Sequence, residues 1–195
     1  MKQLQRFTLV VLAMALAVLA SASAASATTL EVKGVKKTEA VALKFTLKSG
    51  TSTIMKDTGG AFVNTCAAST IEAKSSVFTS TAVSAPVSNL SFGFCTEEPI
   101  VVDAPGSLTF ENIAGTTNGT VRSIGAKWTT PSPFGSLTCT TAATPGTDIG
   151  KLTGVASGAA TMDLNAVLNC GFFLPSAKWE GTYTVTSPEG LGATA

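Results

Sequence analysis

The sequence predicts an all-β protein, an antiparallel β-sandwich or Greek-key barrel, behind an N-terminal signal helix. Three observations carry this. Apolar and polar residues alternate with period two along most of the chain. Turn residues, mostly Gly, Pro and Asn, punctuate that alternation. Thr (30) and Ser (19) make up a quarter of the 195 residues, and the branched Cβ of Thr suits a pleated surface.

The chain opens on Lys2 and Arg6, then an apolar run over residues 7–20, then SASAASA. This is the three-part pattern of a secretory signal peptide, expected over residues 1–27. Its 14-residue apolar run is short of the roughly 20 residues that span a bilayer. Ala24 and Ala27 both suit cleavage. No Arg-Arg pair and no nearby Cys is present, so general secretion without a lipid anchor is expected. Residues 28–195 are expected to form a single β-sandwich domain with no transmembrane anchor. A chain of this length buries roughly 70% of its unfolded surface. A tandem of two small β-domains meeting near residues 103–106 is the alternative. An outer-membrane barrel fits poorly, because one Tyr and two Trp cannot build aromatic girdles.

Strands are expected at 29–33, 41–47, 53–56, 75–79, 87–94, 107–111, 120–124, 148–155, 162–170 and 178–186. In VALKFTL, Val41, Leu43, Phe45 and Leu47 share one face, with Lys44 and Thr46 opposite. SLTFE sets Leu108 and Phe110 against Thr109 and Glu111. MDLNAVLNC sets Met162, Leu164, Ala166, Leu168 and Cys170 against Asp163, Asn165, Val167 and Asn169. KWEGTYTVT sets Trp179, Tyr183 and Val185 against Lys178, Glu180, Thr182 and Thr184. Turns are expected at Thr58-Gly59-Gly60, Ala104-Pro105-Gly106, Asn118-Gly119 and Pro145-Gly146. Asn-Gly is the sharpest, since both residues tolerate the positive φ of a tight hairpin.

Four cysteines behind a signal peptide read as two disulfides. Three pairings are open. Chain order favours Cys66–Cys95 and Cys139–Cys170, with spacings of 29 and 31. Loops of that size contribute roughly 3–4 kcal/mol each in the chain-entropy model. Cys139 and Cys170 lie on inward faces, as a bridge between two sheets requires. Cys95 falls out of phase with Phe92 and Phe94, which predicts a bulge near Gly93 or a place at the sheet margin.

The chain has no His, which excludes Ser-His and Cys-His catalysis and His-ligated metals. No C-x-x-C is present, and Asp148 and Asp163 lack a D-x-D companion, so no metal and no cofactor is expected. The net charge of +1 becomes −1 once Lys2 and Arg6 are removed, with 11 basic against 12 acidic residues. That balance excludes a strongly basic nucleic-acid binder. The charge is uneven: residues 28–75 carry +3 and residues 76–195 carry −4. Head-to-tail self-association or contact with an anionic envelope polymer would use that split. The plainer reading is that Lys44 and Lys48 guard the solvent face of an edge strand.

Two ligand chemistries have candidates. Trp128, Phe172 and Phe173 border turn-like segments and would offer exposed rings to a sugar. Glu97, Asp103 and Glu111 would serve a glycoside hydrolase if two of them stood about 5–9.5 Å apart. The adjacent Glu97-Glu98 pair cannot act together on a strand, where neighbours face opposite ways.

FVNTCAAST, ENIAGTTNGTV, GTDIGKLTGVASGAATMDLNAVLNCG and GTYTVTSPEGLG together resemble a group of uncharacterised exported proteins of high-GC Gram-positive bacteria. The resemblance covers nearly all of the mature chain and implies export and a β fold, with no activity attached. The function expected is that of a secreted or cell-surface, non-enzymatic protein with a structural or interaction role. A carbohydrate-binding module, or a glycoside hydrolase, is the alternative.

Overall fold

The computed structural model describes residues 27–76, 80–133, 135–172 and 174–195, and not the side chain of Phe62. The expected signal peptide, apart from residue 27, lies outside the described residues. So do Phe173 and residues 77–79.

The described residues form strands and no helix. In chain order these are β1 (Thr29–Val32), β2 (Val35–Lys36), β3 (Ala42–Leu47), β4 (Thr53–Asp57) and β5 (Phe62–Lys74). They continue as β6 (Val83–Cys95), β7 (Val101–Ala104), β8 (Ser107–Asn112), β9 (Gly119–Ile124) and β10 (Lys127–Ser132). The last are β11 (Gly135–Thr140), β12 (Thr147–Thr153), β13 (Thr161–Leu168), β14 (Ala177–Ser187) and β15 (Leu191–Thr194).

Several of these strands are halves of one longer stave. β3 and β4 both pair with β14 and with β5. β7 and β8 run along β10 and β9, and β11 and β12 run along the same pair. The result is eight antiparallel staves: β3–β4, β5, β6, β7–β8, β9–β10, β11–β12, β13 and β14. Each pairs with its neighbour in sequence, and β14 closes the ring against β3–β4. The all-β class and the barrel hold. The sandwich and the Greek-key order do not: this is an up-and-down meander.

The reason lies in the breaks. Ala104-Pro105-Gly106 and Pro145-Gly146 interrupt staves rather than reverse the chain. Proline lacks the ladder donor, and Gly106 and Gly146 adopt φ of +70° and +89°, which glycine reaches without strain. A sequence broken this way reads as about a dozen short strands. The suggested domain boundary at 103–106 falls inside the barrel wall. Asn118-Gly119 is not a two-residue turn either. Ile113 N donates to Asn118 O across a six-residue loop (3.0 Å), and Gly119 begins β9.

Most inward positions are apolar and fill the lumen, as expected for eight strands. Leu43, Phe45, Leu47, Met162, Leu164, Tyr183 and Val185 are buried in one core, and Phe45 stacks on Phe110 with centroids 6.2 Å apart. Outward positions carry the hydroxyls. Thr46 meets Thr186 (3.3 Å) and Thr129 meets Thr138 (3.1 Å), cross-strand pairs that stabilise a sheet face. A polar outside and an apolar inside reverse the pattern of a lipid-facing barrel.

The short sheet β2–β1–β15 caps one end. Leu30, Leu191 and Ala193 are buried beneath it. Ala193 N donates to Thr117 O (2.9 Å), and Asn112 Nδ2 donates to Ala193 O (2.6 Å). The sheet comes this close because Gly154 has no side chain: a Cβ there would lie 2.8 Å from Gly192 Cα of β15 and 2.1 Å from Thr117 O.

The opposite end carries both disulfides. Cys66–Cys95 and Cys139–Cys170 are paired as chain order favours. Cys66 and Cys95 stand directly opposite each other where the β5–β6 ladder ends, so the margin alternative holds. The ladder keeps register through Gly93, while Phe94 is twisted to φ +52°. Cys139 and Cys170 join neighbouring staves beside the Thr140–Asn169 bridge, not two separate sheets. Two disulfides are consistent with an oxidising environment.

Candidate functional site

The barrel wall is incomplete at the stapled end. The β6–β8 ladder stops at Pro86–Ser107, and beyond Val87 no ladder joins β6 to β7 among the described residues. Asn64 closes the gap from inside. Its Nδ2 donates to Thr130 Oγ1 (2.8 Å) and to Glu97 O (2.8 Å). Its Oδ1 accepts from Thr65 N, Thr96 Oγ1 and Glu97 N. A polar residue on the inward face beside Cys66 was the sequence signal for this hub, which pattern reading of FVNTC passed over.

Trp128 is a core residue. The expectation of an exposed ring is corrected: its side chain is fully buried, 5.1 Å from Trp179 and 6.0 Å from Phe92. The alternation of β10 explains this, with Lys127 outward and Trp128 and Thr130 inward. The two indoles differ. Trp179 Nε1 donates to Thr53 Oγ1 (2.7 Å), whereas Trp128 Nε1 has no acceptor in the protein. An unsatisfied buried donor costs about 1–3 kcal/mol.

Around this end stand the exposed apolar residues Phe94 (82%), Val101 (51%) and Phe172 (93%). Phe94 caps the end of β6, Val101 begins β7 and Phe172 lies in the β13–β14 connection. Of the three expected sugar-facing aromatics, Phe172 is at the surface, Trp128 is interior and Phe173 lies outside the described residues.

The carboxylates proposed for hydrolysis are dispersed. Asp103 and Glu111 lie on one stave, eight residues apart, hence about 25 Å at the rise of a strand. Asp103 accepts from Thr129 Oγ1 (3.1 Å). Glu97 follows β6, its backbone engaged by Asn64, and Glu98 Oε1 accepts from Cys95 N (2.8 Å). The carboxylates that the fold does bring near each other are Asp163 and Glu180, diagonal across β13–β14. They flank an open groove on the outer wall with Thr51, Ser52, Asn165 and Thr182. Glu180 pairs with Lys56 (2.6 Å) and Asp163 accepts from Thr182 (2.8 Å). No group of three or more metal-ligating residues occurs among the described residues.

Two ion pairs cross the charge split along the chain, Lys33–Glu189 and Lys56–Glu180, and a third lies within the basic segment. Lys44 pairs with Glu72 directly across β3–β5 (2.8 Å), and Lys33 pairs with Glu189 (3.2 Å). The Lys44 ammonium, by hydrogen bond and then by charge, holds the Glu72 carboxyl below the usual range. β3 has a strand on each side, so Lys44 guards no edge. No protein-family model, curated protein or solved structure matches the chain.

Proposed function

We propose that the protein is a secreted or cell-surface, non-enzymatic β-barrel that presents its stapled rim to a polymer of the cell envelope. One observation carries this reading: Phe94, Val101 and Phe172 are exposed around the end held by both disulfides. Phe94 also holds a left-handed backbone, and such strain in a non-glycine residue accompanies functional positions. Exposed apolar residues grouped on one face mark interaction surfaces. The three-part signal pattern over residues 1–27 and the two disulfides support the same location.

A second reading, carbohydrate binding along the outer wall, has the Asp163–Glu180 groove in its favour. Its hydroxyl, amide and carboxylate groups suit a sugar, though no aromatic ring lines it.

Co-sedimentation of residues 28–195 with purified envelope polysaccharides tests both. Retention that falls at least tenfold in Phe94→Ser and Phe172→Ser supports the rim. A loss confined to Asp163→Asn moves the site to the groove. Turnover of a defined glycan, abolished by one carboxylate substitution, would overturn the non-enzymatic reading.

A further inference from the structure

We infer that the outer-wall groove takes an uncharged glycan, held by its hydroxyl groups, in preference to an anionic or a cationic one. This rests on the second reading above and names the ligand class of that site. The barrel wall itself makes the groove. Leu47 of β3 stands opposite Tyr183, and Ile54 of β4 stands opposite Glu180. Residues 48–53 therefore face only Gly181 and Thr182, and the surplus loops out as an exposed turn. Thr51 N and Thr51 Oγ1 both donate to Lys48 O (3.0 and 2.6 Å). Gly50 supplies the φ of +77° at that turn. The turn is one bank, Asp163 and Asn165 on β13 are the other, and Glu180 and Thr182 on β14 lie between. The groove has a volume of about 320 Å³, within the roughly 300–1,000 Å³ of small-molecule sites.

The polar inventory of the lining sets the ligand chemistry. The Asp163 carboxylate accepts from Thr182 Oγ1 (2.8 Å) and has no ion pair among the described residues. Lys56 holds Glu180 through Oε2 (2.6 Å), which leaves Oε1. The Asn165 amide and the Ser52 hydroxyl have no hydrogen-bond partner among the described residues. Spare acceptors thus outnumber spare donors, and both kinds face the same space. Sugar hydroxyls donate to the carboxylates and accept from Asn165 and Ser52, while half-buried Ile54 meets the C–H face of a ring. A phosphate or uronate would be repelled by two lining carboxylates. An ammonium gains little, because Lys56 pairs with one carboxylate and Lys151 stands directly opposite the other on β12. A hydrocarbon would strip water from these groups with nothing in return.

An extended peptide is disfavoured by the backbone beneath the groove. Asp163, Leu164 and Asn165 are laddered to Thr182, Gly181 and Glu180. On the other side of β14, Lys48 N donates to Thr182 O (2.9 Å) and Thr53 Oγ1 to Glu180 O (3.1 Å). No strand edge is left there for a peptide to join, so recognition falls to side chains. The groove is open to solvent, and a polymer can run on beyond the units it holds.

Residues 28–195, labelled with ¹⁵N, are titrated with disaccharides of glucose, galactose and mannose, and with the matching uronic-acid and amino-sugar disaccharides. At least one neutral disaccharide is expected to shift the Asn165 side-chain amide and the Gly181 and Thr182 backbone amides saturably. Its uronic-acid counterpart should bind at least tenfold more weakly. Asn165→Ala and Asp163→Asn, both on the outer face of β13, should each weaken the neutral sugar about tenfold, the value of one hydrogen bond. If either variant does not fold, the wild-type titrations decide by themselves. Saturable shifts at the groove from charged disaccharides alone would overturn the inference and leave the outer-wall reading standing. No saturable shift at the groove from any of these sugars, up to their solubility, would overturn both. Shifts confined to Phe94 and Val101 would also overturn both and favour the rim.

Discussion

Asn64 Nδ2 lies 2.8 Å from Thr130 Oγ1, joining β5 to β10, strands that two intervening staves separate around the ring. This bond stands where the β6–β7 ladder is missing. A side-chain amide thus does part of the work of a backbone ladder, and the barrel closes over a seam that is not zipped.

Asn64→Ala removes five hydrogen bonds and leaves Thr130 and the Glu97 carbonyl short of a donor. We expect a loss of about 2–3 kcal/mol, seen as a fall in Tm of about 4–12 °C. Thr130→Val removes fewer partners and should cost about 1 kcal/mol. Equal effects from the two would show that Asn64 is not the hub.

Phe94 sits at φ +52° with its ring 82% exposed. Phe94→Gly should relieve strain of about 1–3 kcal/mol, less about 0.5–1 kcal/mol for the freedom glycine loses on folding. A net rise in Tm of a few degrees is expected, together with loss of retention on envelope polymer. A lower Tm would mean that the ring contributes to packing.

Tyr183 is the only tyrosine. Burial raises its phenol pKa, partly offset by hydrogen bonds with Ser69 and Thr53. The folded state therefore prefers the neutral phenol. Its contribution is fully present below the unfolded pKa of about 10 and is lost as pH rises from there towards the folded value. Absorbance at 295 nm should stay flat through pH 10 and rise only with unfolding. A titration near 10 with unchanged near-UV circular dichroism would contradict this.

Replacing Cys139 and Cys170 together by Ala releases a loop of 31 residues, at a cost of about 3–4 kcal/mol. Under native conditions, hydrogen exchange should accelerate first in β11 and the end of β13. β1 and β15, at the opposite end, should keep their protection until global unfolding. Uniform acceleration everywhere would mean that the two ends do not open separately.

The inward faces were legible in the sequence. Met162 to Leu168, Phe45 and Tyr183 point where period two puts them, because alternation is a local property of the pleat. Thr46, Thr129, Thr138 and Thr186 lie on the outer wall for the same reason. Cysteine order also proved sufficient, since meander neighbours in sequence are neighbours in space. Trp128 was legible in principle, through Lys127 and Thr129 on the other face, but proximity to Pro131 and Pro133 suggested a loop.

Closure of the ring, the missing β6–β7 ladder, the pairing of Asn64 with Thr130 and the unsatisfied Trp128 donor were decided only by the tertiary structure. So was the dispersal of Glu97, Asp103 and Glu111. Periodicity tells each residue which side of its own strand it occupies. Which strands meet, and where a proline ends their ladder, depends on contacts between residues far apart in the chain, and those form only as the sheet curves on itself.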